Sequence, residues 1–206
     1  MSFGKVHLHA AMVAVAMAAG GANGGETRVW MVPANVDGLP GYLHIWPSAW
    51  TIHFPEAPSQ FTMEVEFYKQ GQLVVEPPKI SLKYKNRKDR PLDAFRFAIQ
   101  IIDLDYLRLP AGKPRHCRWR LNLEDIGGRG IGAEVKDIPK TVFDFDLHSG
   151  SSSSGVFPPP HRDEARFPVK WLMQGPPGKV RSENTPEKLI ESNPDSDIVI
   201  VYVVRE

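Results

Sequence analysis

Apolar and polar residues alternate with a period of two through much of this chain, the pattern of strands with one dry and one wet face. Trp50, Ile52 and Phe54 alternate with Thr51 and His53. Phe61, Met63, Val65 and Phe67 alternate with Thr62, Glu64, Glu66 and Tyr68, and Phe95, Phe97, Ile99 and Ile101 with Ala94, Arg96, Ala98 and Gln100. Cys117, Trp119, Leu121 and Leu123 repeat the pattern, as do Phe143, Phe145 and Leu147. Short strands with one apolar face, separated by proline and glycine turns, close most economically as two packed sheets. The expected fold is therefore all-β, an antiparallel two-sheet sandwich, immunoglobulin-like or jelly-roll-like, of about 8–10 strands. The predicted inward positions are Trp50, Ile52, Phe61, Met63, Val65, Phe67, Phe95, Phe97, Ile99, Cys117, Trp119, Leu121, Phe143 and Phe145.

Two segments depart from the alternation. Ile198-Val199-Ile200-Val201-Tyr202-Val203-Val204 is apolar without a break, as expected of a strand covered on both faces. Thr185-Pro186-Glu187 reads as an N-cap, a proline at the first helical position and an early acid, and Asn193-Pro194 ends the element, so at most one short helix is expected, near 186–192. Between the alternating body and this tail, His148–Glu164 carries a serine run and then three prolines, the composition of a linker. The chain divides accordingly into an N-terminal arm or signal peptide at 1–26, a body at 27–147, a Ser/Gly/Pro-rich linker at 148–164, and an extension at 165–206. The strand of that extension is expected to return to the body or to a neighbouring subunit.

Composition narrows the class further. Nineteen prolines and 17 glycines among 206 residues favour turns over long helices. The single cysteine, Cys117, excludes an intrachain disulfide and a cysteine-based metal framework, and its place among Trp119 and Leu121 reads as core. A reducing compartment fits, so the cytoplasm is favoured. A secreted or periplasmic location follows instead if 1–18, with Lys5 ahead of the apolar run 10–19, is a signal peptide. That run is too short to span a membrane.

Candidate chemistry is sparse. Asp144, Asp146 and His148 share one face of an extended segment and form the best metal-like set, against the simpler reading of a solvated strand edge. His53 with Glu56, and His7 with His9, supply no third ligand at fixed spacing. The glycines at 127, 128, 130 and 132 lack the Lys-Ser/Thr and helix of a phosphate loop and predict a hairpin turn. No cofactor motif and no small-molecule site is identifiable.

The net charge of +1 gives no global pull towards nucleic acid or anionic membrane, yet the charge is unevenly distributed. Residues 79–120 hold 12 Lys/Arg against 4 Asp/Glu, while the flanking parts are acidic. Lys83, Lys85 and Arg87 share one strand face and Arg118 and Arg120 another, so neighbouring strands would join them into one cationic patch. Aromatic residues do not interleave with these cations, so a protein partner or self-association is expected ahead of nucleic acid.

Asn35–Ile45 (NVDGLPGYLHI), followed by Trp50 and the strand Phe61–Tyr68, together with Leu109-Pro110-Ala111-Gly112 leading into Trp119–Asp125, resembles a family of small uncharacterised bacterial β-sandwich domains over residues 28–137. The resemblance implies the sandwich fold and carries no activity, cofactor or catalytic residue. The functional expectation is a non-enzymatic binding or assembly module working through sheet edges, the C-terminal strand and the basic patch. The alternatives are a nucleic-acid-contacting component of a larger complex and a metal-dependent enzyme using Asp144, Asp146 and His148.

Overall fold

A computed structural model describes residues 30–33, 45–76, 79–103, 116–145, 152–160, 164–176 and 178–206. Eleven strands and one helix are defined among them: β1 (Trp30–Pro33), β2 (Ile45–His53), β3 (Gln60–Lys69), β4 (Gln72–Leu73), β5 (Ile80–Lys85), β6 (Ala94–Asp103), β7 (His116–Asp125), β8 (Gly130–Pro139), β9 (Ser152–Val156), β10 (Arg166–Gln174), α1 (Pro186–Ser192) and β11 (Asp197–Arg205). They form two antiparallel sheets. One has the order β1-β2-β6-β7-β8. The other has the order β4-β3-β11-β10-β9, with β5 sharing the outer edge of β3 beside β4.

The alternating residues face each other across the sandwich. All fourteen predicted inward positions are buried, Trp50 being the most accessible of them at 7%. Aromatic rings interlock edge-to-face at the centre, Phe61 on Phe95 at 4.8 Å between centroids and Phe67 on Trp119 at 4.9 Å. Each such side chain contributes roughly 1.5–3 kcal/mol by leaving water. Cys117 lies buried in this core.

Strand β11 shows why its sequence does not alternate. Val199, Val201 and Val203 belong to the core between the sheets. Ile198, Ile200 and Tyr202 face the other way, into a second cluster with Phe157, Trp171, Met173 and Leu189 of α1. Both ladder edges of β11 are used within the chain, by β3 and β10. The helix is the expected one: Thr185 Oγ1 accepts from the Lys188 N–H, Pro186 opens the first turn, and Asn193 caps the end.

Turn chemistry also follows the sequence. Gln70 and Gly71 both have positive φ, 48° and 77°, as a two-residue hairpin between β3 and β4 requires. The glycine-rich stretch after β7 is the expected hairpin, with Gly128 at φ 80° and Asp125 Oδ1 accepting from the Arg129 N–H.

Two expectations are corrected. Phe143 and Phe145 are buried as predicted, but their segment is an irregular one entered by a turn in which Pro139 O accepts from the N–H of both Val142 and Phe143. It packs its two rings against Trp119. Conversely, Ser152–Val156 of the expected linker is an edge strand, because the free edge of β10 offers it a ladder that its own composition does not reveal. Gly155 is required there: a Cβ would fall 2.4 Å from the Trp171 ring, which lies flat against the strand.

Candidate functional site

The basic residues sort into two separate places. Lys83 and Lys85 project from β5 with Ser81, while Ile80, Leu82 and Tyr84 turn inward. The strand ends at Asn86, a buried side chain that organises the following turn. Its Nδ2 donates to Pro58 O (3.0 Å) and Leu92 O (2.7 Å), and its Oδ1 accepts from the N–H of Arg87 and of Leu92, each at 3.0 Å. With its backbone tied down in this way, the turn displays Arg87, Lys88, Asp89 and Arg90, all exposed.

Arg118 and Arg120 lie on β7, in the other sheet, so the expected single patch with Lys83, Lys85 and Arg87 does not form. Strand adjacency was the premise, and β7 neighbours β6 and β8 rather than β5. Arg118 also faces Asp137 directly across the ladder and binds it bidentately at 2.7 and 2.8 Å, which holds the Asp137 carboxyl below its usual range.

Carboxylates temper the β5 set without cancelling it. Arg87 grips Asp89 at 3.1 and 2.8 Å, and the Asp89 carboxyl is lowered by that contact. Lys83 pairs with Glu206, whose carboxylate also accepts from Thr62 Oγ1 and Gln60 Nε2 and is likewise lowered. Lys85, Lys88 and Arg90 form no ion pair among the described residues. The corner is thus cationic, exposed and backed by a rigid staple.

Of the metal-like set, Asp144 is exposed, while Asp146 and His148 lie outside the described residues. Among the described residues no three His, Cys, Asp or Glu side chains converge as metal ligands. No helix among them is long and apolar enough to cross a membrane.

Two features escaped the sequence reading. On the outer face of the six-stranded sheet, Arg166 binds Glu66 at 2.6 Å and Glu64 at 3.3 Å and stacks 3.6 Å over the Tyr202 ring. Beside this stack an open cleft of about 500 Å³ runs between Pro158–Pro160 and Thr185–Glu187, with Pro168 and Tyr202 as its floor. The register that pairs β10 with β11 creates it, and no local motif announces it. The second feature is Lys170, 3% exposed, which enters the space between the sheets with its Nζ 4.1 Å over the Trp50 ring. A bulge between Pro168 and Lys170 shifts the ladder and turns Lys170 to the inward face, opposite Val201. No carboxylate accompanies it among the described residues, and burial pulls the amine down to about 7. The only sequence signal is a lysine inside the apolar run Val169–Met173.

Comparison with known proteins returns no matching family model, no matching curated protein and no matching solved structure.

Proposed function

We propose that this chain is a non-enzymatic binding module whose contact surface is the β5 corner, and that its partner is a protein presenting an acidic surface. The observation that supports this reading is the exposed turn 86–92, held on the Asn86 staple and displaying Lys88 and Arg90 beside Lys85, with Lys83 and Arg87 flanking them. Cations on a preorganised turn lose little freedom on binding and steer an anionic partner from a distance of about a Debye length. Arg118 and Arg120 drop out of the proposed surface because their sheet is different.

The test is fluorescence anisotropy with a labelled poly-glutamate peptide and, separately, a short DNA duplex. The reading expects saturable peptide binding that weakens at least about tenfold when Lys85, Lys88 and Arg90 are all replaced by Ser. Failure of the parent protein to bind the peptide, or binding indifferent to the triple substitution, refutes it. Tighter binding to the duplex with a steep salt dependence transfers the surface to nucleic acid.

A further inference from the structure

Strand β9 closes the six-stranded sheet, and among the described residues nothing pairs with its outer edge. The other sheet edges differ from it. β8 bears Glu134, Lys136 and Asp137 and a register shift in its ladder with β7, β5 bears Lys83 and Lys85, β4 is two residues long, and β1 is four residues long and ends in Pro33. β9 reads Ser152-Ser153-Ser154-Gly155-Val156, with no charge, no proline and no bulge.

Its hydrogen-bonding groups divide regularly. The Phe157 N–H donates to Val169 O, and successive residues of a strand point their N–H and C=O to alternate sides. Gly155 and Ser153 therefore face β10, and Ser152, Ser154 and Val156 present their N–H and C=O groups outward. These three residues are symmetric about Ser154.

We infer that β9 pairs with β9 of a second copy, antiparallel about a two-fold axis at Ser154, joining two six-stranded sheets into one. In that register Ser154 meets Ser154, and Ser152 meets Val156 on each side, so all six outward N–H groups of the pair find the six outward carbonyls. An antiparallel copy matches this edge in a closed, two-fold way, because its three outward residues are symmetric about Ser154 and pair with their own equivalents. The small neutral side chains of both strands approach without bulk or like charge, and Trp171 lying against Gly155 backs the edge rigidly. This contact is independent of the β5 corner, which belongs to the opposite end of the same sheet.

The register places residue 154 against itself, and that is what the experiment uses. Sedimentation velocity from about 10 µM to about 1 mM is expected to show a monomer–dimer equilibrium for the parent protein. Ser154→Lys and Ser154→Asp each place like charges opposite one another and are expected to weaken the dimer at least about tenfold, whereas an equimolar mixture of the two restores it as a heterodimer. Ser154 is exposed, so neither substitution disturbs a core. Amide exchange in the unsubstituted protein supplies a second readout, with protection of Ser154 and Val156 rising with concentration. A parent protein monomeric throughout, a dimer indifferent to both charges, a mixture that fails to re-form, or concentration-independent exchange at those amides overturns the inference.

Discussion

Replacing Lys170 with Met is expected to stabilise the protein most at low pH. Burial shifts the amine from 10.5 in the unfolded chain to about 7 in the fold, which corresponds to roughly 5 kcal/mol of penalty for carrying the charge inside. The Trp50 face returns about 1–2 kcal/mol of this through its attraction for the cation. Met fills a similar shape, carries no charge and makes its own favourable contact with the indole. The sign follows from proton counting. Between about pH 7 and 10.5 the unfolded parent binds more protons than the folded one, so the parent gains stability as pH rises through that window; below about pH 7 both states are protonated and the penalty is present in full. The variant lacks this component. It is expected to exceed the parent by about 2–4 kcal/mol near pH 6, with the advantage vanishing near pH 10, since every other titrating group is common to both proteins. Urea titrations followed by tryptophan fluorescence at about pH 6, 8 and 10 measure the difference directly. A variant no more stable than the parent near pH 6, or an advantage of equal size at both ends of the range, refutes the account of Lys170 as a buried amine that Trp50 offsets only in part.

Gly155→Ala places a methyl group 2.4 Å from the Trp171 ring; thermal unfolding is expected to show a loss of about 1–3 kcal/mol, and an unchanged midpoint would show that β9 does not lie against that indole. Asn86→Ala strands the amide and carbonyl groups of Arg87, Leu92 and Pro58, so a loss of about 2–3 kcal/mol and faster proteolysis within 86–92 are expected; limited digestion followed by mass spectrometry checks this. Arg118→Ala breaks a bidentate pair whose two side chains are more than two-fifths exposed, so chemical denaturation is expected to show only a slight loss of stability at neutral pH, and a large loss would refute the reading of this pair as a surface contact. Because Arg118 holds the Asp137 carboxyl low, that small contribution is present at neutral pH and disappears as acidification protonates Asp137, so parent and variant converge in acid.

The local pattern carried a good part of this fold. Period-two alternation assigned the inward faces of β2, β3, β6 and β7, because which side of a strand is dry depends only on residues two apart. The unbroken apolar run predicted that β11 is covered on both faces, and Thr185-Pro186 predicted α1, since capping and proline geometry act within one turn. Pairing was a different matter. Whether Lys83 and Arg118 share a surface depends on which strands become neighbours, and the sheet order separates them. Phe143 and Phe145 kept their inward orientation in an irregular segment, while a serine run with the composition of a linker became β9 because β10 had an edge to fill. Lys170 is inward only because the ladder slips at Pro168–Lys170, and the cleft beside Tyr202 exists only where the prolines after β9 meet β10, β11 and the start of α1. Periodicity is a local property of the chain and survives in isolation. Register, sheet order and the burial of a single amine are settled by contacts between segments far apart in sequence, which no window of neighbouring residues encodes.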